Sequence, residues 1–278
     1  MSLASLQSLR LTYEGIEALA NLSEVAYLPH PQNVLPSQYS VTVCAKDGVD
    51  ALVVSDEQTC VVAFRGTDRS FREWWRNFTA TPHPLAPGLC HEGFYDGVDG
   101  IFHDLLETLT GTHQALTPTS KGLKRIFLTG DSQGGALAGI LACFFMPAKC
   151  LGGICTFNAP AFAGPRECRG LNRRLKRYGN QGQGADYLRV VFSNDLISRI
   201  PIFFRRPSCP LLPSRQMFGR AGSLAHLRED GSILVSPSSW RLFCRRVADF
   251  RMDFLRDHSI EKVNKVLSCG NRSLSYSG

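Results

Sequence analysis

The stretch from Phe127 to Phe145, FLTGDSQGGALAGILACFF, constrains this chain more than any other. A β-prone run at residues 126–128 ends in a cluster of turn-formers, and a small-residue, apolar stretch follows directly. A strand can turn sharply into a helix only if the residue at the corner accepts strained backbone angles. Its neighbours must then lack a Cβ, because the two backbones approach too closely for one. The pattern G-x-S-x-G, here Gly130-Asp131-Ser132-Gln133-Gly134, meets both demands. Ser132 is therefore expected at the apex of a nucleophile elbow, above the carboxyl end of a sheet. The helix behind it would present first-turn N–H groups to a developing negative charge.

The rest of the chain supplies a sheet for that corner. Strands are expected at residues 41–45, 51–54, 60–64, 126–129, 153–157 and 188–192, with a hairpin around REDGS joining 224–227 to 233–235. Helical patterns cover 3–27, 97–109, 134–146, 166–178, 240–254 and 259–267. Strands separated by helices predict an α/β fold with a mostly parallel central sheet flanked by helices, in one domain over residues 1–278. The Pro-rich segment 205–222 is too irregular for an element, and the tail after about residue 268 is expected to fray.

Composition narrows the class. With 278 residues, 44% of them hydrophobic, the chain can bury a sizeable core. No apolar run reaches the roughly 18 residues of a membrane span. The N-terminus lacks a basic region followed by an apolar block, so no secretory signal is expected. A cytoplasmic protein, or one exported by a signal-independent route, fits. The ten cysteines are scattered without a C-x-x-C pair and are expected as buried free thiols. No cluster of His and Cys has zinc spacing, and neither a metal nor another cofactor is expected.

An elbow serine needs a base and an acid. In an open α/β sheet, functional groups gather beyond the carboxyl ends of strands. The strand in YLRVVFSNDLISRIP ends at Asn194-Asp195, which places Asp195 where an orienting carboxylate belongs; Asp186 lies at the wrong end. His258, in RDHSIEKVNKVL, opens a helix from a loop late in the chain. The order Ser, Asp, His is that of α/β hydrolases. His226 also follows the acid, but as a strand residue it is tied to the plane of its hairpin. His83, His103 and His113 have no such context and are expected in solvent.

With these residues in place, the sequence resembles the class 3 lipases, the fungal triacylglycerol lipase-like branch of the α/β hydrolases. The resemblance runs from about residue 27 to residue 267. It rests on VVAFRGTD, FREWWRNF, HEGFYDGV, TGDSQGGALA (beside the family's GHSLGGALA), SNDLISRIP and DHSIEKV, in the family's order. It implies an α/β-hydrolase fold with an amphipathic lid, and a serine lipase or phospholipase. Ser132 then matches the nucleophile, Asp195 the acid and His258 the base. Thr67 matches the oxyanion donor that offers N–H and hydroxyl, and Gln133 the residue whose N–H completes that hole. His91 matches a position read as structural. Where the family has His and Leu around the nucleophile, this chain has Asp131 and Gln133. The amide of residue 133 survives that change, but a buried Asp131 would need hydrogen-bond partners.

Substrate class follows from the lid and the charge. Phe71, Trp74, Trp75 and Phe78 recur at spacings of 3, 4 and 7, one face of a helix suited to a lipid interface. The net charge of +7 is uneven: residues 1–140 carry 9 basic and 15 acidic residues, and residues 141–278 carry 22 and 9. A half at +13 suggests peripheral contact with an anionic lipid surface. No nucleic-acid motif accompanies the arginines, so nucleic acid is not an expected partner. A lipid ester is the expected substrate. A catalytically silent lipid-binding protein and an acyltransferase using the same triad are the alternatives.

Overall fold

A computed structural model describes residues 3–6, 8, 10–66, 88–118, 122–192, 195, 218–236 and 259–276. Within them, nine strands form one sheet: β1 (Ser40–Lys46), β2 (Val49–Ser55), β3 (Thr59–Phe64), β4 (Arg125–Asp131), β5 (Leu151–Phe157), β6 (Asp186–Phe192), β7 (Ser223–Leu227), β8 (Ile233–Val235) and β9 (Leu274–Tyr276). Their order in the sheet is their order in the chain. β1, β2 and β3 pair antiparallel, β3 through β7 are parallel, β8 returns antiparallel, and β9 is parallel to β8. The central strands read as continuous apolar runs because both faces are covered: β3 and β5 are buried at every residue.

That order dictates where the helices go. Crossovers between parallel strands are right-handed, so a sheet growing in one direction receives all its connecting helices on one face. Three helices make these connections: α2 (Glu92–Thr110), α3 (Gln133–Ile140) and α4 (Pro165–Tyr178) pack with Val62, Phe64, Leu128 and Ile154 in one core. The opposite face falls to the outer helices, α1 (Tyr13–Val25) and α5 (Ile260–Cys269). They pack on each other and on Val61, Ala63, Phe157, Val190 and Phe192. Tyr13 Oη donates toward the carbonyls of Gly231 (2.9 Å) and Leu267 (3.1 Å), and Asn264 Nδ2 donates to Ala20 O (3.1 Å).

Several boundaries depart from expectation for local reasons. The helix expected over 3–27 is split into a 3-10 turn at Leu3–Leu6 and α1. Thr12 stops it: its backbone is extended and its hydroxyl accepts from Gly15 N (3.1 Å), a side-chain N-cap. The helix expected over 134–146 ends in a π-helical turn at Leu141–Phe145. β9 occupies part of the tail expected to fray, held in register by Ile233 opposite Leu274 and Val235 opposite Tyr276. The helix expected over 240–254 and the Pro-rich residues 205–217 lie outside the described residues.

His113, expected in solvent, is fully buried. It continues the stripe Ile101, Leu105, Leu109 by one more step of four and turns back onto the antiparallel edge. Its ring nitrogens meet Ser55 Oγ (2.9 Å) and Thr42 Oγ1 (3.1 Å), while Lys124 Nζ donates to the same Ser55 oxygen (3.3 Å). Burial, reinforced by Lys124, pushes its pKa down to about 4. His103 is exposed as expected, and His83 lies outside the described residues. All eight described cysteines are free thiols, six of them buried.

Candidate active site

β4 ends at Asp131 and α3 begins at Gln133, so one residue, Ser132, makes the whole turn. Its φ of 52° and ψ of −122° lie outside the regions an L-residue prefers. Ser132 N donates to Phe157 O (2.8 Å), which ties the corner to the end of β5, and Ser132 O accepts from Gly135 N (3.1 Å), the first bond of α3. Close approach explains the flanking glycines. A Cβ on Gly130 would come within 2.8 Å of Gly135 N, and one on Gly134 within 2.9 Å of the Phe64 carbonyl carbon at the end of β3. Real Cβ atoms essentially never come that close. The elbow is thus wedged between its own strand and β3. Gln133 is the first residue of the helix, where backbone N–H groups point out of the N-terminus.

Asp131, beneath the corner, is buried, with one carboxylate oxygen toward a phenol. Tyr27 Oη lies 3.4 Å from Asp131 Oδ2, and the Gly66 backbone bonds the same phenol. Burial, and then the Asp131 charge, hold the Tyr27 phenol far above its ordinary pKa, so Tyr27 stays a donor. Arg65 flanks this cluster, 5.9 Å from the centre of the Tyr27 ring and paired with Asp50 at 2.9 Å.

Asp195 lies on the same sheet edge. Phe157 stands beside Asp131 in the register and Val190 beside Phe157, so β6 runs two strands from the elbow. Two strand spacings are about 10 Å. The chain turns just past β6, with Asp195 N donating to Phe192 O (3.0 Å), and Asp195 is fully buried. Arg220, just before β7, shares its surroundings, and Arg189 within β6 lies near Arg220. Burial lowers the pKa of both. Arg220 falls to about 10, with repulsion from Arg189 adding to burial while Cys168 and Asp195 oppose it.

The profile of the Lipase (class 3) family matches residues 61–204, just over half of the sequence. The chain belongs to the class 3 lipase family. Among solved structures, the Rhizomucor miehei triacylglyceride lipase shares 20% identity at a TM-score of 0.56, over 77% of this chain and 79% of its own. Lipase II from Rhizopus niveus shares 19% at 0.54, over 77% and 80%. A variant of MDLA from Penicillium cyclopium shares 14% at 0.59, over 96% and 99%. These likenesses establish the α/β-hydrolase fold. None of the curated proteins matches the sequence.

Of the residues expected in the site of this class 3 lipase, Ser132, Gln133 and Asp195 fall on one edge. Thr67, His258 and the lid residues Phe71, Trp74, Trp75 and Phe78 lie outside the described residues. His226 sits inside β7, between Val191 of β6 and Leu234 of β8, and is buried. His91 is buried as well, stacked on Phe94 at 4.2 Å between ring centres, and burial pushes its pKa down to about 4. Among the described residues no group of His, Cys, Asp and Glu could hold a metal ion, and no helix is long and apolar enough to cross a membrane. Sequence reasoning missed Arg189 and Arg220. For Arg189 the signal was there: a lone cation inside the apolar run YLRVVF.

Proposed function

We propose that this class 3 lipase cleaves acyl esters of lipids through a covalent acyl-enzyme on Ser132. The observation that carries the reading is the strained corner at Ser132, held between glycines that admit no Cβ. Strain of this kind persists only where the surroundings enforce it, and it clusters at functional sites. His258 takes the proton of the Ser132 hydroxyl as the hydroxyl attacks the ester carbonyl, then returns it to the leaving alcohol. Asp195 holds the imidazole in the tautomer that can accept that proton. The amide of Gln133, with the amide and hydroxyl of Thr67, receives the charge on the tetrahedral oxygen. Losing one such donor typically costs about 3 kcal/mol.

Ser132 is only 9% exposed, which supports a cover that opens at a lipid interface. The aromatic face of Phe71, Trp74, Trp75 and Phe78 is our candidate for that cover, and the basic C-terminal half favours an anionic membrane surface. The deciding experiment pairs Ser132→Ala with a fluorophosphonate probe. Wild type should hydrolyse p-nitrophenyl esters and carry the label on Ser132. The variant should fold, lose both label and turnover, and still bind lipid. Label on another residue, or turnover that survives the substitution, overturns the reading. A wild type that binds lipid but neither labels nor turns over would instead be a silent lipid-binding protein.

A further inference from the structure

α4 carries a charge pattern that the chemistry at Ser132 does not use. Its buried side chains, Cys168, Leu171 and Leu175, recur at spacings of three and four and fix one face on the core. The rest of the helix exposes Arg166, Arg169, Arg173, Arg174, Lys176 and Arg177. The one acid in these 14 residues is Glu167, and it lies against Gly88 and Gly164 at the first turn. Elsewhere arginines meet carboxylates: Arg10 meets Asp186 at 3.3 Å, Arg65 meets Asp50 at 2.9 Å and Arg272 meets Glu17 at 3.4 Å. None of the six cations of α4 forms an ion pair among the described residues. Arg169, Arg173 and Arg177 follow one another at steps of four, where like charges destabilise a helix. Anions across from such a row would offset that repulsion.

The surroundings suggest what those anions are. Arg166, Arg173 and Arg174 line a groove of about 560 Å³ together with Gly88, Phe144 and the single carboxylate, Glu167. Arg174 is fixed there by its bond to Cys143 O (2.9 Å). The volume suits a small polar head group. At the far end, Tyr178 is half exposed with the Arg177 guanidinium 5.3 Å from its ring centre, an aromatic-cation pair of the kind found at head-group level. We propose that α4 docks on a bilayer rich in anionic phospholipid, its cations against the head groups and one head group in the groove. The proposal rests on the reading of this chain as a lipid ester hydrolase. α4 starts from the loop that leaves the carboxyl end of β5, the edge of the sheet that carries Ser132.

The test is sedimentation with vesicles of phosphatidylcholine alone or mixed equally with phosphatidylserine. One variant combines Arg166→Gln, Arg169→Gln, Arg173→Gln and Arg177→Gln; a second places Lys at the same four positions. Wild type should prefer the anionic vesicles, and its binding should weaken between low and physiological salt. The glutamine set should lose affinity by about a hundredfold or more. The lysine set should keep it, and both should hydrolyse soluble p-nitrophenyl butyrate like wild type. Undiminished binding by the glutamine set, equal binding to neutral vesicles, or tighter binding to single-stranded RNA overturns the proposal. If the glutamine set does not fold, salt-independent binding of wild type overturns it. A wild type inert toward the soluble ester sinks the hydrolase reading alone and leaves the docking result standing.

Discussion

Replacing Ser132 with glycine should stabilise the protein while it removes the hydroxyl. The backbone there, at φ 52° and ψ −122°, is sparsely populated for a residue with a Cβ. Such outliers cost about 1–3 kcal/mol. Glycine adopts these angles freely but loses more conformational freedom on folding, worth about 0.5–1 kcal/mol against alanine. The bond from the residue-132 amide to Phe157 O is a backbone bond and survives. The net gain is about 1 kcal/mol, or roughly 2 °C in Tm for a chain of this length. Ser132→Ala is the reference, because it loses the hydroxyl but keeps the Cβ and hence the strain. Urea unfolding should rank Ser132→Gly above Ser132→Ala by about that amount, with Ser132→Ala close to wild type and both variants inactive. A glycine variant no more stable than the alanine variant would show that the corner stores no strain.

Three further outcomes follow from named contacts. Gly134→Ala drives a Cβ against the Phe64 and Arg65 carbonyl carbons, so it should cost about 1–3 kcal/mol and lower kcat at least tenfold as the elbow shifts; wild-type stability and kcat together would dismiss the close approach. Asp195→Asn should lower turnover of p-nitrophenyl esters by about 10⁴-fold and destabilise by about 2 kcal/mol, because it removes the negative charge near the buried Arg220; a variant more stable than wild type in urea would show that Asp195 does not offset Arg220. His113 and His91, both with folded pKa values of about 4, are neutral in the folded protein and take up protons more readily when unfolded. Their stabilisation is therefore full above about pH 6.5 and is lost as pH falls toward 4, on the order of 2 kcal/mol each. Urea midpoints measured across that range should fall, and His113→Gln should flatten the curve.

What could be read from the sequence divides along physical lines. The elbow was legible because its constraint is local: three glycines and a serine at fixed spacing admit few backbone paths. The core strands were legible because runs such as Cys60-Val61-Val62-Ala63-Phe64 are apolar on both faces. Asp195 was placed at a strand end by the break in pattern after Phe192. His113 escaped because its burial comes from a turn beyond the end of α2, although its phase continues the helix stripe. β9 escaped because three residues of strand carry almost no periodicity, and its pairing comes wholly from β8. Asp131 was legible as a problem, a carboxylate under the corner, but its solution, Tyr27, is 104 residues away in sequence and becomes a neighbour only in the fold.

A sheet laid down in strict chain order has a consequence for biosynthesis. Each strand from β2 to β9 finds its predecessor already made when it leaves the ribosome, so the sheet can lengthen as translation proceeds. The face beneath α1 and α5 follows another clock. α1 is made before every strand of the sheet, and α5, which packs beside it, after all of them but β9. Until residues 260–269 emerge, the cluster that holds Leu19, Leu22, Val190, Phe192 and Ala225 lacks Ile260, Val263 and Leu267. A nascent chain that stalls before α5 already holds Ser132 and Asp195, yet it presents an apolar flank to every other chain it meets. From the completion of β6 until α5 is made, that flank stays open on the side α5 will cover.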